Sequence, residues 1–505
     1  MPDTSSGTIK PRTVKGFRDI LPHQVVARWR MIDTIRAAFE RYGFVPLDTP
    51  AVEYVEALVG LGEEGTKNLF RMESPEGEEI ALRYDLTVPL ARVVAQYPDL
   101  PRPFRRYQVS PVWRADKPDP GRFREFIQFD IDSVGVPTLL ADAEILMAMD
   151  EALRALGLRS FRIRFSSRKI LNTLLRWIGV PETEGMRALR ALDKLDRQGV
   201  EAVLLELGPG RVDQSGDKIP GLGLPPMAID RIRRFLDLPR QVHRARTGAS
   251  NDSVGQDRAG GPDVVRPPVP SRSVILDAVE RLFEGVEGAA EGINELRQID
   301  HYLKTAGIPD DRVAVDLSIA RGLDYYTGPV FEAVLTDLPE FGAVFGGGRY
   351  DGLVERFLGV KVPATGASIG VDRLLAALQK LGLVEAGWAT AKVLTTVMDP
   401  ERLADYLALT CEIREAGIAA EIYMGEATGL KKQIAYADRA GIPIVIIAGS
   451  NEFGSGTVSI KDLREGKKHE GDASTRETWV KQRFGQRTVP RSEMIAVIRS
   501  LLEGA

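Results

Sequence analysis

The chain has 505 residues, 44% apolar and 27% charged. That is room for about three domains at roughly 100–200 residues each, with a core large enough to need no disulfide or metal staple. The net charge of −4 neither favours nor excludes a nucleic-acid partner, because phosphate contacts need clustered basic residues and not a basic total. The single cysteine, Cys411, excludes an internal disulfide and suits a reducing, cytoplasmic compartment. Cys411 and the four histidines, His23, His243, His301 and His469, have no zinc-ligand spacing. No apolar run approaches the ~18–20 residues of a membrane span, and the opening MPDTSSGTIKPRT lacks the apolar centre of a signal peptide.

In chain order, Val25 to Tyr42 reads as a helix, with Val25, Trp29, Ile32, Ile35, Ala38 and Phe39 on one face and Gly43 as its stop. Phe44 to Pro50 reads as a short strand, as do Ile80 to Leu86 and Phe104 to Trp113. Ala115 to Gly121, with its prolines and closing glycine, reads as a hairpin loop leading into the alternating strand FREFIQFDID. Strand–loop–strand without a helix between predicts an antiparallel sheet. From Phe161 to Asp310 helical patterns dominate: Ser167 to Ile178, Glu184 to Leu207, Ala228 to Leu236 and Val274 to Lys304. Arg244 to Ser273, rich in Gly, Pro, Ser and charge, reads as a flexible loop. Strands return in RVAVDLSIARGLDYYTGPVFEAVL, and a helix opens near Val371 after the turn FGGGRYDG. Beyond a linker at Ala386 to Thr390, VLTTVM, AEIYM and IPIVIIAG alternate with helices, predicting a small α/β domain with a largely parallel sheet.

Four clusters carry chemistry. Arg114 ends one strand, and Gln128 and Asp132 share a face of the next because they lie four residues apart. A guanidinium there suits a phosphate, and a carboxylate suits a cationic or N–H-donating ligand. A surface salt-bridge ladder explains the same residues equally well. RGLDYYTG, Arg321 to Gly328, puts an arginine on a core strand, where it needs a partner such as an anion. FGGGRYDG exposes backbone N–H groups but is not a Walker loop. Gly366, Gly370 and Arg373 mark a strand-to-helix junction of the kind that attracts anions. Arg114, Arg321 and Arg373 together supply the spread positive charge a triphosphate needs. No Ser/His/Asp or Cys/His set offers a covalent nucleophile.

These segments, in this order, resemble the class II aminoacyl-tRNA synthetases and specifically the histidyl-tRNA synthetase family. The helix and strand ending at Pro50 resemble the first class II motif, WRADKPDPGRFREF the second and GASIGVDRLL the third. RGLDYYTG and GGGRYDGLV resemble signatures of the histidine enzymes, and LKKQIAYADRAGIPIVIIAG resembles their anticodon-binding module. The resemblance implies an α+β catalytic core on an antiparallel sheet (residues 1–160 and 311–388), a mostly helical insertion (161–310) and a C-terminal α/β anticodon-binding domain (389–505). It implies histidine–tRNA ligation: ATP with Mg²⁺ activates L-histidine to the adenylate, which is transferred to tRNA(His) by a homodimer. Arg114 would hold the α-phosphate, Arg373 the outer phosphates, and Arg321 the charge on the α-phosphate during attack. Asp85 and Thr87 would meet the α-amino group, Gln128 the amino acid, and Asp132 and Tyr326, with Tyr325 in the same wall, the imidazole. A carboxylate and a phenol are suited to its two nitrogens.

Departures exist. LRYDLTVPLAR has Asp where many bacterial relatives have Glu; the second motif's loop reads RADKPDPGR, and LDKLDR is closer to eukaryotic-type members. The leading alternative is the histidine-sensing regulatory subunit of ATP phosphoribosyltransferase, which shares the core but typically lacks the C-terminal domain. A tRNA-sensing module without ligase activity, or a ligase for another amino acid, would show eroded motifs or lack RGLDYYTG. Arg102, Arg105, Arg106, Lys117, Arg122 and Arg124 are candidates for acceptor-stem phosphates, and Arg476, Lys481, Arg483, Arg487 and Arg491 form a basic C-terminal run.

Overall fold

A computed structural model describes residues 9–59, 68–118, 122–212, 216–247, 270–322, 326–384, 389–426, 429–468 and 485–503. The chain divides into two compact units, Met1–Arg18 with Met31–Leu383, and Asp19–Arg30 with Val384–Ala505.

The first unit carries strands β1 (Val45–Pro46), β2 (Val52–Tyr54), β3 (Arg71–Glu73), β4 (Glu79–Leu82), β5 (Phe104–Trp113), β6 (Glu125–Val134), β7 (Phe161–Ser167), β8 (Gly210–Val212), β9 (Lys218–Pro220), β10 (Val313–Val315), β11 (Pro329–Leu335), β12 (Ala343–Arg349) and β13 (Ala364–Gly370). Among the described residues, eight of them form one sheet in the order β1-β5-β6-β13-β12-β11-β7-β10. Only the edge pairs β1/β5 and β7/β10 are parallel, so the predicted antiparallel core is the observed one.

Strict alternation gives this sheet two different faces. Tyr107, Phe129, Ile131, Ala367, Ile369, Phe345, Phe331, Ala333, Phe165 and Ile163 are buried on one. The Phe129 ring meets Phe39 edge-on at 5.2 Å between centroids, and helix Leu140–Ala155 packs on this sheet. The other face carries Arg106, Gln108 and Ser110 on β5, opposite Asp132, Asp130 and Gln128 on β6. Those in turn lie opposite Gly366, Ser368 and Gly370 on β13. This floor is therefore polar and, toward β12, bare of side chains.

Phe161–Ser167, expected to open the helical insertion, is instead a strand of the central sheet, and helices begin at Arg168. The expected helix Glu184 to Leu207 is three, Glu182–Leu192, Leu195–Gln198 and Val200–Leu207, with Gly199 at φ +81° between the last two. Val274 to Lys304 is likewise broken into Arg272–Leu282 and Ala289–Thr305. The expected loop Arg244 to Ser273 is shorter, because helix Pro226–Thr247 runs into it and Arg272 opens a helix; residues 248–269 lie outside the described ones. Arg272 is fully buried: it pairs with Asp300 at 2.7 Å and donates to the carbonyls of Val313 (2.7 Å) and Ile308 (2.9 Å), tying that helix to β10.

The second unit holds β14 (Val393–Thr395), β15 (Ala420–Ile422), β16 (Ile444–Ile447), β17 (Thr457–Asp462) and β18 (Gln486–Pro490), ordered β15-β14-β16-β17-β18. β14 runs parallel to β15 and β16, but β17 and β18 are antiparallel, so the sheet is less parallel than expected. Its buried core includes Val393, Tyr406, Ile444, Ile446, Ile460 and Ile498. Gln433 is buried there and closes the end of β14, accepting from the Val397 N–H at 2.8 Å and donating to its carbonyl at 2.7 Å.

Candidate active site

The polar floor of the large sheet is built around a buried cation. Arg106 is 0% exposed. Its guanidinium pairs with Asp132 at 2.8 Å, stands 4.0 Å from Asp130 and donates to the Leu86 carbonyl at 3.0 Å. A charge so placed is stable only because it is paired. The other oxygen of Asp132 accepts a hydrogen bond from the Tyr350 hydroxyl. Desolvation outweighs the pull of Arg106 and raises the carboxyl of Asp132. Burial and the neighbouring Asp132 charge, against the pull of Arg106, push Asp130 up to about 7. The floor tolerates the Asp132 side chain only because residue 366 is glycine: a Cβ there would lie 1.9 Å from the Asp132 Oδ1.

Asp85 stands at the start of helix Thr87–Gln96. Its Oδ1 accepts the N–H groups of Thr87 (3.1 Å) and Val88 (3.0 Å), two donors the helix itself leaves unpaired. Desolvation raises its carboxyl, while the Val88 N–H and the charge of Arg114 pull it down. Arg114 is thus near enough for its charge to act on Asp85. Its guanidinium lies 4.2 Å from the Tyr84 ring centre and 5.2 Å from that of Phe126, and it donates to the Tyr84 carbonyl at 3.3 Å. Phe126 shares its face with Gln128, whose Nε2 donates to Ser368 at 2.9 Å while its Oε1 is buried without a protein partner.

At the other end of the floor, Arg321 pairs with Glu332 at 2.9 Å and reaches over Gly346. Glu332 sits on the polar face of β11 and is 3% exposed, and burial raises its carboxyl despite Arg321 and Arg164. Arg373 donates to the Ala343 carbonyl at 2.8 Å. Burial, and then the charges of Arg321 and Arg122, lower its guanidinium. Asp372 fixes the helix that carries it, accepting the Ile127 N–H and pairing with Arg18, each at 3.1 Å. The Tyr326 ring lies over Gly348, whose strand partner Gly366 faces Asp132. Gly322, at φ +58°, gives that ring room, since a Cβ there would lie 1.9 Å from it.

Asp85, Arg114, Gln128, Asp132, Arg321, Tyr326 and Arg373 thus come together on or beside one face of one sheet. Tyr325 lies outside the described residues. Sequence reasoning missed Tyr350, Glu332 and Asp130. It misread Arg106 as a phosphate contact: a fully buried guanidinium on Asp132 cannot meet an acceptor stem. Arg105 is withdrawn too, paired with Glu144 at 2.9 Å and stacked 4.7 Å from the Phe44 ring centre. Arg491 of the C-terminal run pairs with Glu412 at 2.8 Å, and Arg476, Lys481 and Arg483 lie outside the described residues.

The profile of the family described as "Histidyl-tRNA synthetase" matches residues 16–250 and 269–374. The chain belongs to the histidyl-tRNA synthetase family. A second profile, "Anticodon binding domain", matches residues 393–501. The histidine–tRNA ligase of Paracoccus denitrificans is 43% identical over 98% of both chains. That of Caulobacter vibrioides is 41% identical over 98% of this chain and 97% of its own. The crystal structure of histidyl-tRNA synthetase from Nostoc sp. PCC 7120 superposes with a TM-score of 0.76 at 30% identity, covering 98% of this chain and 100% of that one. A Bacillus halodurans protein described as an ATP phosphoribosyltransferase regulatory subunit/histidyl-tRNA synthetase shares the fold at a TM-score of 0.63 and 24% identity, over 85% of this chain.

Proposed function

We propose that the polar floor of the large sheet is where this chain, a histidine–tRNA ligase, activates L-histidine with ATP before loading tRNA(His). The observation that carries the reading is the placement of arginines from remote segments, Arg321 reaching over Gly346 and Arg373 anchored on the Ala343 carbonyl with the charge of Arg321 falling on it, beside the Tyr326 ring over Gly348 and Asp132 against Gly366. Like charges held together are relieved by a polyanion.

In this reading the imidazole enters between Asp132, which accepts a ring N–H, and the Tyr326 hydroxyl, and Tyr325 is assigned as a further contact. Gln128 contacts the amino acid. Asp85 and Thr87 meet its ammonium group, for which a carboxylate with one oxygen committed to the helix still offers the other. A histidine carboxylate oxygen then attacks the α-phosphorus in line, the bond to the bridging oxygen breaks and pyrophosphate leaves. Arg114 holds the α-phosphate, Arg321 neutralises the charge that builds on it, and Arg373 holds the departing phosphates. A terminal ribose hydroxyl of the tRNA next attacks the acyl carbon and AMP leaves. Mg²⁺ is expected with ATP as its counter-ion. Glycine-rich backbone and fixed guanidinium groups position the reactants without a covalent intermediate on the protein.

We assign catalysis to residues 1–160 and 311–388 together with strand β7 (Phe161–Ser167), the segment from Arg168 to residue 310 to an insertion, and anticodon contact to 389–505, in a cytoplasmic homodimer. No described helix is long and apolar enough to cross a membrane. The regulatory reading is weaker, because the second unit carries the anticodon-domain match and the candidate arginines are intact. Histidine-dependent ATP–pyrophosphate exchange, run against the other amino acids, tests the assignment: exchange with histidine alone is expected, and histidine binding without exchange would favour the sensor.

A further inference from the structure

Glu332 is an acid in the middle of an apolar strand, PVFEAVL. Its strand neighbours are Gly346 on one side and Arg164 on the other. The missing side chain at Gly346 leaves the space through which Arg321 reaches it. Its two oxygens then serve two guanidinium groups: Oε2 lies 2.9 Å from the Arg321 Nε, and Oε1 lies 3.4 Å from an Arg164 Nη. Arg164 is itself held from two sides. It donates to Asp316 at 3.2 Å, and Asp316 is in turn fixed by the Ser318 N–H (3.0 Å) and hydroxyl (2.6 Å). It also donates at 2.7 Å to Asp196, the second acid of LDKLDR on helix Leu195–Gln198. That short helix belongs to the helical segment between β7 and β10 and not to the sheet.

Arg321 is 43% exposed at its side chain and Asp196 is 59% exposed, whereas Glu332 between them is 3% exposed. A solvent-facing acid of the helical segment is thus linked through Arg164 and one buried carboxylate to the arginine assigned to the α-phosphate. A long side chain on the surface samples many rotamers, and pairing at Nε removes that freedom while leaving the Nη groups to face a ligand.

We propose that Glu332 is a positioning residue that aims Arg321 at the reacting phosphate, and that Asp196, acting through Arg164, lets the seating of the helical segment set that aim. The inference rests on the adenylation reading above. It explains why a buried acid sits beside a phosphate site, where its charge alone would oppose the nucleotide.

The test uses the full-length protein in histidine-dependent ATP–pyrophosphate exchange, with kcat and the two KM values measured separately. Misaiming a group by about 1 Å costs up to ~100-fold, so Glu332→Gln is expected to lower kcat by roughly 10- to 100-fold while both KM values stay within about threefold. Asp196→Ala is expected to lower kcat by a few-fold, with Asp196→Glu restoring it. In the Asp196→Ala/Glu332→Gln double variant the effect is expected to be no larger than in Glu332→Gln alone, because both act through one link. Wild-type kcat in Glu332→Gln, or multiplicative losses in the double variant, would overturn the proposal. If Glu332→Gln fails to fold, the exposed Asp196 variants decide: wild-type kcat in Asp196→Ala overturns it. A wild-type protein that shows no histidine-dependent exchange counts against the ligase assignment of the site, which the variants do not address.

Discussion

Replacing Asp132 by Asn changes one atom's chemistry in the candidate imidazole slot without changing its shape. In the parent, the carboxylate forms an ion pair with Arg106 at 2.8 Å and accepts the Tyr350 hydroxyl, and it is buried. An asparagine can still present its oxygen to Arg106, but its amide nitrogen is then a donor where the slot needs an acceptor for a ring N–H. The substrate loses one hydrogen bond to a charged group and meets a donor instead, a loss of about 1–3 kcal/mol. At about 1.4 kcal/mol per tenfold that is roughly 5- to 150-fold in kcat/KM for histidine. The KM for ATP is expected to stay near its parent value, since Asp132 is assigned to the imidazole and Arg114, Arg321 and Arg373 to the phosphates. Asp132→Ala is expected to be worse and also less stable. It leaves Arg106 buried with the Leu86 carbonyl, a long bond to the Gln108 Oε1 (3.5 Å) and the more distant Asp130, and stripping a buried charge of its partner costs about 3–5 kcal/mol. The assay is pyrophosphate exchange at varied histidine, with a thermal melt of each variant. A folded Asp132→Asn protein with kcat/KM for histidine within twofold of the parent would refute the role given to Asp132.

Arg321→Ala is expected to slow adenylate formation by roughly 100- to 1,000-fold, as when one oriented charge-stabilising donor is lost, while histidine binding measured by calorimetry changes little; near-normal single-turnover adenylation contradicts that role. Arg106→Met is expected to destabilise the first unit by about 3–5 kcal/mol at neutral pH, read by urea unfolding followed by circular dichroism. Asp130 already titrates near 7 when folded, above its unfolded value, with Arg106 pulling it down. Removing Arg106 raises it further, so the folded variant keeps a proton that the unfolded chain releases, and its deficit relative to the parent is expected to widen from pH 6 to pH 9; a deficit that narrows over that range would contradict the pairing. Gly366→Ala places a methyl 1.9 Å from the Asp132 Oδ1 and 2.6 Å from the Ile131 carbonyl, and is expected to raise the KM for histidine at least tenfold, in line with the sensitivity of bound geometry to ~1 Å shifts.

The hairpin of β5 and β6 was legible because strand periodicity is short and the loop between the strands is marked by prolines. The shared face of Gln128 and Asp132 followed from spacing alone. Arg106 was not legible as a core residue, although Arg106, Gln108 and Ser110 alternate with Tyr107 and Val109; which face turns inward depends on cross-strand register, and a basic triplet reads more readily as a surface. Glu332 had a signal, a lone acid in an apolar strand, but its partners come from residues 164 and 321, far apart in the chain. Helical periodicity ran straight through Gly199 and through Gly285 and Gly288, because an apolar repeat does not register a positive φ. Leu140–Ala155 has two acids, Asp142 and Asp150, on its buried side, which blur its apolar stripe, and it was passed over.

The central claim is tested most directly by a crystal structure of the protein with histidine and a non-hydrolysable ATP analogue. The account predicts the imidazole against Asp132 and Tyr326 and the α-phosphate between Arg114 and Arg321, with the outer phosphates on Arg373. A nucleotide bound away from the polar floor of the large sheet, or a histidine whose ring points away from Asp132, would contradict it.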